Sequence, residues 1–376
     1  MTDAVIVEAV RTPIGRRGGA LSGLPAAKVL RAALRAVIDR AGIDPGEVGQ
    51  VIGGCVTQTG EQGLNVTRNA WLSTGMDPRV GCTTVDVSCG SAQQANHLVS
   101  ALITAGQLDI GIACGVEVMS RVPPGRNITG KQDYQTDDYP WDDPPGLQFG
   151  GAERIAARQG LTRADLDAYG LLSQQRAAKA WQDGRFDREV VTVPEAPDFT
   201  VDEGLRHSTP EGLAALGPAR RDGLHTAGTT SQVSDGAAAV LWMSAEAAER
   251  HGLRPRARLA HQVVTGSDPY FLLDGPVDAT RRILDRAGLG LSDVDVIEVN
   301  EAFASVVLSW AQRLDVDPER VNGNGGAIAL GHPMGATGAR LLTTALHELE
   351  RVDGELALVT MCCGGAQGTA SVLRRI

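Results

Sequence analysis

No apolar run in these 376 residues approaches the ~18 needed to cross a bilayer, so no membrane-spanning helix is expected. Positive charge is not in excess: 35 Lys and Arg stand against 45 Asp and Glu, a net charge of −10. That balance argues against a broad nucleic-acid surface, although a local basic patch can still hold an anionic ligand. Aromatic residues are scarce, at 4%. The six cysteines (Cys55, Cys82, Cys89, Cys114, Cys362 and Cys363) form no CxxC pair and no Cys/His metal spacing. Reduced thiols in a cytoplasmic protein without a bound metal are therefore expected. The opening MTDAVIVEAV lacks the basic stretch of a secretion signal. Glycine is plentiful, at 46 residues, and hydrophobic residues make up 43%. Both suit an α/β protein with many tight strand–helix turns.

The most reactive-looking stretch is Thr83–Ala105. Thr83–Ser88 reads as a β-branched strand, and Gln93–Ala105 as a helix with Ala95, Leu98, Val99, Leu102 and Ile103 at helical spacing. Cys89 sits on the Cys-Gly-Ser corner between them. Unpaired N–H groups at a helix N-terminus favour an anion, so a thiolate is expected there.

A repeat organises the rest. Ile38–Val51 (IDRAGIDPGEVGQV) resembles Leu284–Ile297 (LDRAGLGLSDVDVI), an offset of 246 residues. The same offset maps Asp109–Ala113 onto Glu355–Val359 and places Cys89 near position 335. Gly236-Ala-Ala-Ala-Val-Leu resembles Gly368-Thr-Ala-Ser-Val-Leu at an offset of 132, so the first half carries about 114 extra residues. Two αβ halves follow: residues 1–118 completed by 234–244, and residues 245–376, with an inserted segment at 119–233. Each half alternates strand and helix. Within the insertion, Pro123–Gly150 reads as a Pro/Gly/Asp-rich loop with Tyr134, Tyr139 and Trp141. Glu153–Gln159 and Arg163–Gln182 read as helices, and Asp187–Val193 as a strand. Leu24–Ala41 reads as an amphipathic helix capped by Gly42.

Chemistry-bearing candidates cluster at matching points of the two halves. The turn at Gly331–Gly335, carrying His332, is the counterpart of the Cys89 corner, and a pseudo-twofold arrangement would bring both together. A histidine facing a cysteine can activate it, while a turn histidine with no role is the plainer reading. Cys362 follows the strand Leu356–Thr360 and precedes Gly364-Gly365, a corner whose N–H groups can bind an oxyanion. Two small buried residues would explain Cys362 and Cys363 equally simply. Asn300, after the strand Asp295–Val299, stands where sites form in such folds, or is a helix N-cap.

These residues carry a family resemblance over essentially the full length. CGS at Cys89–Ser91, NEAF at Asn300–Phe303, GGAIALGHPMGATG at Gly325–Gly338 and CCGGAQG at Cys362–Gly368 resemble the motifs of thiolases, in family order. Ile52–Gln62, VDVSCGSAQQANHL, His225–Met243 and Asn300–Ala311 are similar to the 3-ketoacyl-CoA thiolases acting on steroid-derived acyl chains. The resemblance implies duplicated αβ halves in a five-layered α-β-α-β-α core with an inserted loop domain. It implies Cys89 as nucleophile and His332, with a water held by Asn300, as activator and first oxyanion site. Cys362 would be the acid/base, and the N–H groups of Cys89 and Gly364 the second oxyanion site. Ala227 and Ser231 would lie beside the pantetheine of coenzyme A and Arg206 near its adenine; a solvated surface charge is the alternative for Arg206. Coenzyme A would be a substrate, with no metal or redox cofactor, and the chain a homodimer or homotetramer.

Three departures from the family pattern stand out. Cys363 replaces a small aliphatic residue, Asp86-Val87-Ser88 replaces Asn-Arg-Leu, and Ala92 replaces Gly. No residue of the insertion could be assigned to the acyl pocket. A biosynthetic acetoacetyl-CoA thiolase, a Claisen-condensing synthase and a non-catalytic acyl-CoA-binding homologue are the rival functions.

Overall fold

The computed structural model describes residues 3–128 and 135–376. Tyr134 and residues 129–134 of the insertion's first loop lie outside the described residues.

In the first half, β1 (Ala4–Arg11), the short β2 (Gly15–Arg16), α1 (Ala26–Ala41), β3 (Gln50–Gly54), α2 (Val66–Ser73), β4 (Gly81–Val85), α3 (Ser91–Thr104) and β5 (Ile110–Val118) follow in order. The insertion contributes α4 (Gln148–Arg158), α5 (Arg163–Gln182) and α6 (Pro210–Ala214), and β6 (Ser234–Ser244) returns the chain to the first half. Then come α7 (Ala245–Arg250), β7 (Ala257–Gly266), α8 (Gly275–Ala287), β8 (Val296–Val299), α9 (Ala304–Arg313), α10 (Ala327–Leu330), α11 (Met334–Val352), β9 (Leu356–Cys363) and β10 (Gln367–Arg375).

In hydrogen-bonding order the strands run β4-β3-β5-β6-β1-β7-β10-β9-β8. β1 and β7 meet at one pair, Ile6–Ala257. On either side of that join the order is the same: β1-β6-β5-β3 is repeated by β7-β10-β9-β8. The pairing senses also repeat, antiparallel for β5–β6 and β9–β10, parallel for β3–β5 and β8–β9. Three apolar clusters separate the layers. One joins α1 and α2 to the outer face of the first sheet. A second packs α3 and α11 between the two sheets. The third joins α8 and α9 to the outer face of the second sheet. The five layers are thus α, β, α, β, α.

Local sequence explains the elements. α1 buries Leu30, Ala33, Leu34, Val37 and Ile38 and ends at Gly42, whose φ of 66° and N–H to Ile38 O make the expected left-handed cap. α5 spans Arg163–Gln182, with Thr162 and Asp165 forming a capping box. Asp187–Val193 is not a strand. Arg11 and Val190 pair there as an isolated bridge, with Arg11 N–Glu189 O at 2.8 Å and Val191 N–Arg11 O at 2.9 Å. Pro194, lacking an N–H, cannot extend the ladder.

The central layer needs bare backbone where the helices meet. A Cβ on Gly338 would lie 2.2 Å from Gln93 N, and one on Gly115 would lie 2.1 Å from Gly335 O. These glycines let the N-terminal ends of α3 and α11 converge over the first sheet.

Candidate active site

The turn from β4 into α3 presents Cys89. Ser88 N bonds Asp86 Oδ1 at 2.7 Å, Val87 N bonds Ser91 Oγ at 2.9 Å, and Ser91 Oγ donates to Ser88 O at 2.6 Å. These bonds hold Ser88 at a φ of 48°, a left-handed conformation that costs a non-glycine residue about 1 kcal/mol. Cys89 is partly exposed at the mouth of the helix. Its resting state differs from the expected thiolate. Loss of hydration pushes the thiol up to about 12, and the Glu117 and Asp86 carboxylates push the same way. Backbone groups of Cys89 and Gly364 reach the sulfur and oppose the rise.

His332 sits in the turn between α10 and α11 and is buried. Its backbone N–H donates to Ser234 Oγ at 3.0 Å. Its Nδ1 lies 2.7 Å from Thr337 Oγ1, which itself donates to Pro333 O at 2.9 Å. With that hydroxyl proton committed, the geometry assigns the His332 proton to Nδ1 and leaves Nε2 with its lone pair. Burial, aided by the Arg340 cation, depresses the imidazole to about 3, so it rests neutral.

Asn300 Nδ2 approaches His332 Nε2 at 3.5 Å, the donor-to-lone-pair sense that this tautomer requires. Asn300 Oδ1 is buried with no hydrogen-bond partner among the described residues, an acceptor able to hold a water. The helix-cap reading of Asn300 fails: the N-cap of α9 is Phe303. Asn300 N instead bonds Thr360 O at 3.0 Å, carrying the β8–β9 pairing one step further.

β9 runs to Cys363, so both vicinal cysteines lie on the strand, and their side chains leave on opposite faces. Cys362 is buried among Ala302, Phe303, Leu272 and Ala366. Burial raises its thiol well above the ordinary range, and neighbouring Cys89 and Cys363 add to the rise. Cys363 lies under the nucleophile turn, where a Cβ on Gly90 would come within 2.6 Å of its Sγ. It also lies 3.9 Å from Thr369 Oγ1. All six cysteines are free thiols.

Two buried carboxylates hold these turns together; the sequence included Glu301 only as part of NEAF, with no role of its own, and did not single out Glu117. Glu117, in β5, accepts from Val56 N at 2.9 Å, Thr57 N at 3.1 Å, Gln62 Nε2 at 2.7 Å and Gly335 N at 3.0 Å. It ties the His332 turn to the Cys55–Gln62 loop. Burial raises its pKa, but four N–H donors face it and the Cys55 thiol reaches Oε1 at 3.9 Å, an environment that suits the anion. Glu301, of NEAF, accepts from Tyr169 Oη at 2.9 Å, Ser173 Oγ at 2.6 Å, Asn322 Nδ2 at 2.9 Å and Ile328 N at 3.1 Å. It joins α5 of the insertion to the loop that leads to His332. The available signal was an acidic residue inside an otherwise apolar buried strand, IGIACGVEV, for Glu117.

The segment His225–Ser231 lies directly against NEAF. Thr230 bridges Phe303, Ala304 N bonds Thr229 O at 2.9 Å, and Ser231 N bonds Ala302 O at 3.0 Å. Ser231 is half-buried there and Ala227 is exposed at the rim. Arg206 is an exposed residue of the insertion, and its N bonds Gln174 Oε1 at 2.8 Å. Its stretch abuts the Ser231 segment through Gln232 Nε2 to Gly204 O, at 2.8 Å, without joining the cysteine–histidine cluster. Beside Cys362 the insertion supplies an apolar wall the sequence did not locate: Leu147 and Phe149 pack with Phe271 and Phe303. The Phe149 and Phe303 rings meet edge-on at 5.0 Å.

Two pairs are thus set on neighbouring turns of the two halves: Asn300 with His332, 3.5 Å apart, and Cys89 beside Cys362. Family models agree with that geometry: the thiolase N-terminal domain matches residues 4–246 and the thiolase C-terminal domain residues 253–375. The chain belongs to the thiolase family. As a thiolase it is an acyltransferase, acting on acyl-CoA and CoA substrates by thiolytic cleavage. Among its relatives is the steroid 3-ketoacyl-CoA thiolase FadA6 of Mycobacterium tuberculosis, 44% identical over 100% of this chain and 95% of that protein. The acetyl-CoA acetyltransferase of Pseudomonas aeruginosa is 43% identical, with both chains fully covered. The crystal structure of the Bacillus anthracis acetyl-CoA acetyltransferase superposes with a TM-score of 0.90 at 34% identity, covering 100% of this thiolase and 99% of that chain. Among the described residues no helix is long and apolar enough to cross a membrane.

Proposed function

We propose that this thiolase cleaves 3-ketoacyl-CoA substrates with a bulky acyl part, of the steroid-derived kind named in the FadA6 relative. Cys89 Sγ attacks the keto carbon while His332 Nε2 takes the thiol proton, forming a tetrahedral oxyanion. The Cα–Cβ bond then breaks, leaving the acyl group on Cys89 and the enolate of acetyl-CoA. His332, now protonated, and a water on Asn300 stabilise that enolate until the Cys362 thiol protonates its carbon. In the second half-reaction the Cys362 thiolate deprotonates incoming coenzyme A. Its sulfur attacks the acyl-enzyme, the oxyanion rests on the N–H groups of Cys89 and Gly364, and Cys89 leaves and recovers its proton from His332. No metal or redox group enters this cycle.

The observation that carries the assignment is the neighbouring of two thiols, Cys89 on the turn into α3 and Cys362 on β9, with burial pushing both above the ordinary thiol range. A nucleophile that loses its proton only to a positioned base, and an acid that keeps its own for a carbanion, are the two needs of C–C cleavage. Residues 119–233 then act as the acyl-selecting insertion between halves 1–118 with 234–244 and 245–376, with Leu147 and Phe149 against the acyl chain. Ala227, Ser231 and Arg206 line the coenzyme A path. We place the enzyme in the cytoplasm as a homodimer or homotetramer, for which the unpaired edge of β4 offers a strand-to-strand contact.

Steady-state thiolysis of acetoacetyl-CoA against a steroid-ring 3-ketoacyl-CoA tests the substrate class. A higher kcat/KM for the ring substrate is expected. Strong preference for acetoacetyl-CoA would instead favour the acetyl-CoA acetyltransferase activity named in the Pseudomonas aeruginosa relative.

A further inference from the structure

Gly364, whose N–H is given to the second oxyanion site, has two polar side chains on its bare face. A Cβ placed there would lie 2.9 Å from Ser88 Oγ and 3.7 Å from Gln148 Nε2. Both groups therefore face one point beside Gly364, and a glycine leaves that point open to a ligand. They arrive from different parts of the fold. Ser88 belongs to the nucleophile turn, immediately before Cys89, and Gln148 is the first residue of α4 in the insertion.

The fold uses neither side chain. The Ser88 turn is tied through the backbone, its N–H donating to Asp86 Oδ1 and its C=O accepting from Ser91 Oγ. Ser88 Oγ has no hydrogen-bond partner among the described residues, and neither has the Gln148 amide. Gln148 does not cap its own helix, whose N-cap is Leu147 without a side-chain bond. Ser88 also stands where the family pattern has leucine, so a hydroxyl replaces an apolar side chain beside the nucleophile. The nearby wall is apolar: Leu147 and Phe149, on either side of Gln148 in the chain, pack with Phe271 and Phe303.

The charges around the pair decide what it can hold. Asp86, bonded to Ser88 N, and Glu117 are the carboxylates felt at Cys89. Arg220, the cation beside the turn before α4, donates to Pro145 O. Arg154 and Arg158, farther along α4, are paired with Asp142 and Asp274. A hydroxyl and an amide are neutral donors, and here they stand next to fixed negative charge. That setting suits an uncharged oxygen and disfavours a further carboxylate.

We propose that Ser88 and Gln148 are specificity-determining residues that bind an uncharged oxygen, hydroxyl or keto, carried on the acyl group close to its thioester carbonyl. The substrate class is then an oxygen-bearing acyl chain, held by two hydrogen bonds in an otherwise apolar pocket. This rests on the reading of Cys89 as acyl carrier and Gly364 as oxyanion donor. The coenzyme A segment His225–Ser231 lies elsewhere, against NEAF.

Rapid mixing of the whole enzyme with an acyl-CoA, followed by mass spectrometry of Cys89, runs the second half-reaction in reverse. Cys89 Sγ bonds the acyl carbon, the C–S bond to coenzyme A breaks, and the Cys89 proton leaves on the coenzyme A thiol. The probes are butanoyl-CoA, each enantiomer of 3-hydroxybutanoyl-CoA, and succinyl-CoA. The better 3-hydroxybutanoyl enantiomer should acylate Cys89 on the order of tenfold faster than butanoyl, the effect of two hydrogen bonds. Succinyl-CoA should show no such gain. In Ser88→Ala/Gln148→Met the ratio of 3-hydroxybutanoyl to butanoyl rates should fall to within twofold of one. A merely structural role would slow both probes and leave that ratio intact. Should the double variant not fold, Gln148→Met alone, at an exposed helix end, should still lower the ratio at least twofold. A parent ratio near one overturns the proposal, as does a ratio unchanged in a folded variant, or succinyl-CoA as the fastest probe. Acyl-Cys89 formed equally fast from every probe sinks this proposal alone, whereas no acyl-Cys89 from any of them sinks the Cys89 reading with it.

Discussion

Replacing Glu117 by Gln changes one atom, yet it should disable the enzyme through the His332 turn. Glu117 Oε1 faces Thr57 N and Gln62 Nε2, and Oε2 faces Val56 N and Gly335 N. Glutamine keeps one oxygen and offers an NH2 in place of the other. Whichever way the amide turns, that NH2 confronts two N–H donors and leaves them unpaired in a buried site. Each buried donor without a partner costs about 1–3 kcal/mol, so the substitution should destabilise the protein by about 2–6 kcal/mol. Gly335 cannot relieve the conflict by moving, because its Cα side already abuts Cys55 and Val116 O, with an added Cβ only 2.7 and 2.6 Å from them. Urea unfolding should show the loss as a lower midpoint at unchanged slope. Rapid mixing with acetyl-CoA, followed by mass spectrometry of Cys89, should show acylation slowed at least tenfold as His332 loses its fixed position. Were Glu117→Gln to unfold at the parent midpoint and acylate at the parent rate, the carboxylate would be a bystander and this account of the turn would be wrong.

Cys362→Ala should still bind acyl-CoA and form acyl-Cys89 slowly, yet lose turnover, whereas Cys363→Ala should keep turnover and lower stability by about 1 kcal/mol for the lost sulfur contact under Gly90. Comparable kcat values for the two variants would invert the assignment of the strand faces. Acid should unfold the protein through its buried histidines. His97, His332 and His347 are each held near 3 by burial, below their ordinary value, so the native state leaves them neutral while the unfolded chain protonates them. Stability is therefore retained above about pH 6.5 and lost as pH falls toward 3, at about 1.4 kcal/mol per pH unit for each histidine. Urea midpoints measured between pH 7.5 and 4.5 should fall with a slope approaching three protons; a flat profile would refute the buried neutral state.

What the sequence made legible was what repeats or punctuates. Asp-Arg-Ala-Gly at two places foretold α1–β3 and α8–β8 as equivalents, and the sheet order bears this out. Gly42 as a helix stop needed no tertiary information, because a positive φ is a local demand. Cys89 and His332 could be grouped because their glycine-flanked turns occupy equivalent points of the two halves, and Cys362 could be added because it precedes Gly364-Gly365. What failed was anything decided by dielectric surroundings or by partners distant in sequence. A helix terminus near Cys89 was visible in the residues, while the burial that keeps the thiol protonated was not. Asp187–Val193 has the alternation of a strand, but β1 offers it only the ladder bonds around Arg11 before Pro194 intervenes.

The same distinction explains why the supporting carboxylates escaped notice. Glu117, Glu298 and Glu301 gain meaning only from donors and cations 21 to 218 residues away, such as Asn322 and Gly335. Each nevertheless left a local trace. Glu117 and Glu298 interrupt strands that are otherwise apolar and buried on both faces, and Arg340 lies in the stretch of α11 that is buried from Gly335 to Leu349. Burial of an ionisable group is tolerated only when something compensates it. For Glu117 and Glu301 the compensation is four N–H or O–H donors each, with the Cys55 thiol added at Glu117, and their task is to fix turns. Arg340 has no hydrogen bond among the described residues, but the Glu298, Glu189 and Glu301 carboxylates all face it. Its compensation is that standing negative charge, drawn from β8, the insertion and the turn after β8, so one buried cation binds segments that lie far apart in the sequence.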